Sequence, residues 1–327
     1  MSITSFAAPG GLAAALVCAV LTAAPARAHV IVGNRIFPAT LLIDDPGVND
    51  ELSLPTFAYL TGPDGSQSYA FSFEWDKTIT PDLGVSIGDG YIHQNNPRAN
   101  GWDNLESDVK YVLFRNPEHE FILATGVGFE WGGTGNARVG ADQFTSWGPS
   151  VYFGKGFGDL PDSLNILKPF AVTGQLGASF STHPVTVTTT WDRHERANVT
   201  DVDYDPTFFN WGFSLQYSLP YLNANVSAVE NEFLRRLIPL VEVAFSSPVA
   251  NLGPLEAGNS HVTTGLVNPG VIYVGTGFQF GVEAQLPINS LSGKHVGVIA
   301  QLHLFLDDIF PNTILGRPLF DGPQAAF

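Results

Sequence analysis

Apolar and polar positions alternate with a period of two along most of this chain. In SYAFSFEWDK one face carries Tyr69, Phe71, Phe73 and Trp75, and the other carries Ser68, Ala70, Ser72, Glu74 and Asp76. Successive side chains of a strand point to opposite faces, so such a segment has one greasy side and one small, polar side. The pattern recurs in EHEFILATGVGFEW, FFNWGFSLQYSL, FQFGVEAQL and HVGVIAQLHLF. Turn residues break it into strands expected near 53–62, 67–77, 83–95, 102–115, 120–132, 144–157, 166–181, 207–219, 236–247, 263–275, 278–288 and 294–306.

Which medium the apolar face meets decides the fold. A soluble sandwich would turn Lys, Thr and Glu toward water. Here the second face is rich in Gly, Ser, Ala and Gln, which suits a crowded or wet lumen. Only 14% of the 327 residues are charged, while 44% are hydrophobic, and typical soluble domains are about 25% charged. Beyond residue 28 no run of about 18 apolar residues offers a transmembrane helix. Strands cross a bilayer only as a closed barrel, because lipid leaves edge N–H and C=O groups unpaired. The expected fold class is therefore all-β: a transmembrane antiparallel up-and-down β-barrel of about twelve strands over 53–306, in the bacterial outer membrane.

The links orient it. KTITPDLG, FRNPEHE and GTGF are short, as periplasmic turns are. HQNNPRANGWDN, GGTGNARVGADQ and STHPVTVTTTWDRHERANVTDVDYD are long, as outer loops are. The link LNANVSAVENEFLRRL has room for a helical turn. Trp102, Trp131, Trp147 and Trp211 are expected at outer strand ends as an aromatic girdle, where amphipathic rings meet the bilayer interface.

The ends read differently. Residues 1–28 resemble a secretory signal, with an apolar stretch Leu12–Leu21 and Ala26-Arg27-Ala28 as the cleavage pattern. Cys18 is the only cysteine, so the exported chain has no disulfide option. Residues 29–52, containing IDDPGVNDE, are expected either in the periplasm or folded back as a lumen plug. Residues 307–327 form a periplasmic tail ending in Phe327, like the terminal assembly signal of outer-membrane proteins. The formal charge of −16 argues against nucleic acid as a partner, since phosphate contacts need clustered Lys and Arg. The expected partners are outer-membrane lipid, a small-molecule solute and the barrel-assembly machinery.

The polar face supplies candidate pore-lining residues: Glu74, Asp76, Asp108, Lys110, Glu120, Glu130, Gln216, Glu242, Gln279, Glu283, Gln285, Gln301 and His303. An open lumen with this acidic excess would favour cations. The alternative is that these groups pair with Lys110, Lys155, Lys168 and one another and hold a narrow lumen shut. Asp44, Asp45, Asp50 and Glu51 offer oxygen ligands, but they lack the spacing and Gly position of an EF-hand loop. No metal and no cofactor is expected. Catalysis is not expected either: His183, His194 and His303 accompany many serines, but no G-x-S-x-G nucleophile elbow is present.

The segments NPGVIYVGTGFQFGVEAQLPI and FEWDKTITPDLGVSIG resemble outer-membrane barrels grouped with the meta-pathway of phenol degradation. Pro269-Gly270, a strand, a tight turn and a strand ending at Leu286-Pro287 carry the likeness, over about a third of the chain. The resemblance implies passive uptake of small, aromatic or apolar solutes. Two other functions remain in view: a closed structural or adhesive barrel working through its loop 181–206, and a lipid-modifying enzyme.

Overall fold

The computed structural model describes residues 30–192, 196–254 and 261–320. The signal segment 1–28, His194 and Phe327 lie outside the described residues. The strands are β1 (Val30–Val32), β2 (Arg35–Phe37), β3 (Glu51–Thr61), β4 (Gln67–Thr80), β5 (Leu83–Asn95), β6 (Arg98–Trp102), β7 (Leu105–Asn116), β8 (Phe121–Trp131) and β9 (Ser146–Gly156). They continue with β10 (Phe170–Ser181), β11 (Val185–Asp192), β12 (Ala197–Tyr204), β13 (Thr207–Tyr217), β14 (Leu237–Ala250), β15 (Thr264–Val274), β16 (Phe278–Pro287) and β17 (Gly297–Phe305).

Twelve of these close into an antiparallel barrel. Neighbours pair in sequence order, skipping β6, β11 and β12, and β17 pairs with β3 to complete the ring. These are the twelve strands that alternation predicts. Three further pieces escaped it: the β1–β2 hairpin, the short β6 that extends β5 outward, and the β11–β12 hairpin, which pairs only with itself.

Burial inverts the soluble pattern. Phe71, Leu215 and Phe280 are 52%, 48% and 47% exposed, whereas inward Ser214, Glu242 and Asn268 are wholly buried. Val85, Val109, Val151, Val241 and Val282 join the outward apolar wall. No helix among the described residues is long and apolar enough to cross a membrane; the outward strand faces form the surface suited to hydrocarbon.

The short links 81–82, 117–120 and 275–277 gather at one end, with the links 157–169 and 218–236. The C-terminal segment returns to that end, where Leu319 and Phe320 donate backbone hydrogen bonds to Thr78 and Ile79. Trp131 closes β8, Trp147 lies at the start of β9, and Trp102 ends β6, all at the opposite end. Trp211 does not belong with them. Phe208, Phe209 and Asn210 already pair with β14 before it, so it lies within the wall, stacked on Phe245 with ring centroids 4.3 Å apart.

Val282 sits mid-strand on the outward face, between Val271 and Ala300. We expect Val282→Arg to destabilise the barrel in phospholipid vesicles by roughly 2–4 kcal/mol, measured by urea titration. An unchanged midpoint would mean that this face does not meet hydrocarbon.

Candidate functional site

The site begins with Arg35, a wholly buried guanidinium. Its Nε donates to Glu120 at 3.1 Å, its Nη1 to the Pro169 carbonyl at 3.0 Å, and its Cζ lies 3.9 Å from the centre of the Tyr221 ring. Those three partners come from three different links at the short-link end. One buried cation thus fixes the β1–β2 hairpin to the barrel rim, while Val30, Val32 and Phe37 pack against Val112, Ile122 and Tyr152 inside it.

From Phe37 the chain runs as a strap along the inner wall. Gln279 of β16 donates to the Ala39 carbonyl. The Glu242 carboxylate of β14 accepts three successive backbone N–H groups, from Leu41 (2.9 Å), Leu42 (3.0 Å) and Ile43 (3.3 Å). Lys110 of β7 forms an ion pair with Asp44 at 2.6 Å and donates to the Asp45 carbonyl at 3.0 Å. Asp50 then receives Lys77 at 2.6 Å and the Thr78 N–H at 2.8 Å, which delivers the strap into β3 beside β4. Two barrel glycines give the strap its seat: a Cβ at Gly212 would stand 2.5 Å from Ile43, and one at Gly281 would stand 2.4 Å from Leu41.

Beside the strap lies a cavity of about 760 Å³. It reaches from strap residues 39–45 and 47–49 to Asp103, Asn104, Glu130 and Ser146 at the outer strand ends. Of the residues expected on a pore wall, it gathers Glu74, Asp76, Asp108, Lys110, Glu130, Gln301 and His303. To these it adds Asp44, Asp45, Glu51, Asp89, Asp103 and Glu106, so a single lysine faces many carboxylates. His303 meets Glu51 through its Nε2, and Asn104 donates to Glu130 at 2.8 Å. Burial, opposed by Lys110 and reinforced by Glu51 and Asp44, pushes the Asp45 carboxyl up to about 7.

Several expected lining residues lie elsewhere. Glu120 is in the link before β8 with a left-handed backbone, φ 46°, and its carboxylate is taken by Arg35 and the Gly158 N–H. Gln216, Glu242, Gln279, Glu283 and Gln285 do point inward, but they are 3% exposed or less and do not border the cavity. Strap and neighbouring side chains cover that half of the lumen: Gln216 bonds Thr173 and Ser214, and Asn268 donates to Glu283. Glu106 escaped the sequence reading, although LESDVK places it two residues before Asp108 and hence on the same face.

No protein family's sequence profile matches the chain, and no curated protein matches it. Among solved structures it is similar to the NanC porin, with a TM-score of 0.43, 10% identity, and 78% of this chain and 98% of that one covered. It is also similar to the KdgM porin solved with disordered oligogalacturonate, with a TM-score of 0.43, 9% identity and coverage of 76% and 97%. LpxR from Salmonella typhimurium gives a TM-score of 0.37 at 10% identity, covering 78% and 99%. The barrel assignment rests on this chain's own closed strand ladder.

Two outcomes follow from the strap's contacts. Glu242→Gln keeps the side chain's size but removes charge-assisted bonds worth roughly 1.5–3 kcal/mol each. We expect amide exchange at Leu41, Leu42 and Ile43 to accelerate by about tenfold or more; unchanged protection would show that Glu242 does not hold the strap. A carboxyl raised on folding supports the folded form below its unfolded pKa and loses that support as pH rises through the folded value. Protection factors for residues 44–48 should therefore fall between pH 3.8 and about 7, and Asp45→Asn should flatten that change. A profile identical in wild type and variant would contradict the role of Asp45.

Proposed function

We propose that the protein is a passive outer-membrane channel for small solutes whose lumen residues 38–50 hold narrow and whose carboxylate wall favours cations. The observation that carries this reading is a strap, fastened by side-chain hydrogen bonds and ion pairs, standing against a carboxylate-lined cavity inside a closed strand ring. Its contacts are side-chain hydrogen bonds, two ion pairs and the packing of Leu41, Ile43 and Val48, none of which belongs to the barrel ladder. The outward Phe, Leu and Val wall fits lipid, and outer-membrane lipid is the partner that follows. The phenol-pathway resemblance implies apolar or aromatic cargo, but carboxylates around a cavity attract cations and disfavour apolar molecules.

A second reading is a closed barrel that works through its outer hairpin. It is favoured by β11–β12, whose Val187 and Trp191 are 61% and 60% exposed.

Planar-bilayer conductance separates the two. We expect small currents from the full chain, larger ones after removal of residues 30–49 or in Glu242→Gln, and reversal potentials in a salt gradient showing preference for K⁺ over Cl⁻. Silence from all three proteins would favour the closed barrel.

A further inference from the structure

The strand registers place carboxylates in two rows. Along one hydrogen-bonded row lie Glu74, Gly88, Glu106 and Glu130, contributed by β4, β5, β7 and β8. Along the next lie Glu51, Asp76, Ser86 and Asp108, contributed by β3, β4, β5 and β7. Residues of the two rows are two apart on each strand, so both rows face the cavity, about 7 Å from each other at a rise of roughly 3.4 Å per residue. All eight border it.

This arrangement is unfavourable for an empty barrel. Glu106 stands directly opposite Glu130, and Glu51 directly opposite Asp76; like charges so placed repel. None of Glu74, Asp76, Glu106, Asp108 and Glu130 forms an ion pair with a basic side chain among the described residues. Lys110, the one lysine on this wall, is taken by Asp44. A second observation is independent of the acids. His303 borders the same cavity at 6% exposure, with its Nε2 on Glu51 and its Nδ1 without a partner.

The wall therefore presents carboxylate acceptors at two levels, five of them without a basic partner among the described residues. No three His, Cys, Asp or Glu side chains among the described residues converge as a metal ion would require, so the charge suits an extended ligand rather than one compact ion. We propose that the two rows bind a linear organic polycation, an aliphatic diamine or polyamine. Its ammonium groups would meet carboxylates of both rows, and its methylenes would lie over Gly88 and Ser86. This rests on the channel reading only in requiring that solutes reach the cavity from the outer end.

The test is calorimetric titration of the full-length exported protein in detergent with spermidine, ethylamine and Mg²⁺. We expect spermidine to bind at least roughly tenfold more tightly than ethylamine or Mg²⁺, because several charge-assisted hydrogen bonds form together. Glu106→Gln with Glu130→Gln should weaken spermidine by about tenfold or more, and Ser86→Lys, which sets a cation into the second row, should abolish binding. The glutamine pair removes a repulsion, so the barrel should persist, as far-ultraviolet circular dichroism would show. Glu232→Gln, on an exposed link, should leave binding unchanged. Spermidine binding no tighter than ethylamine, Mg²⁺ binding equally well, or indifference to the paired glutamines would each overturn the proposal. Conductance without spermidine binding would sink this site alone, and binding without conductance would sink the channel alone.

Discussion

The structure depends on one constraint: in an apolar surrounding, every backbone N–H and C=O of a strand must find its partner within the protein. An open sheet leaves two edges. Pairing β17 with β3 removes both, and the consequences follow from that closure. With the ladder satisfied around the ring, the side chains alone meet the surroundings, and alternation divides them into an apolar wall and a polar lumen. The inversion of burial between Phe280 and Glu242 is the local expression of this division.

Closure also creates an interior that must be filled or wetted. The two halves of this lumen differ. Opposite β13–β16 the strap, packed with Leu41 and Ile43 against glycine seats, covers the polar groups, and Glu242 turns a potential wall charge into an acceptor for three strap amides. Opposite β4–β8 the strap touches the wall through Lys77, Lys110 and Gly84, and a cavity remains beside those contacts. The same residue type therefore has two roles: Glu242 fastens a segment, whereas Glu106 faces space. Their difference lies in what the strap covers.

The fastening is distributed. Arg35 gathers three links at the rim, Lys110 and Glu242 hold the middle of the strap, and Asp50 ties its end to Lys77. Buried charges of this kind are tolerated because each is paired or hydrogen-bonded. The middle contacts reach single strands without joining the ladder, so the closure of the ring does not depend on them.

The sequence by itself determined the ring. Period-two alternation is a local property, and once the apolar rows are assigned to lipid, strand number, closure and the inward direction of Glu74, Asp108 and His303 follow from it. It also exposed the acidic segment IDDPGVNDE as distinct from the strands. Only the tertiary structure decided where that segment goes, because its partners Glu242 and Lys110 are remote in sequence and meet it only after closure. For the same reason alternation could say that Gln216, Glu283 and Gln285 point inward but not that they are covered. It also could not say that Glu120 sits in a turn held by Arg35. Facing is set by neighbours along the strand; access is set by what the closed ring encloses.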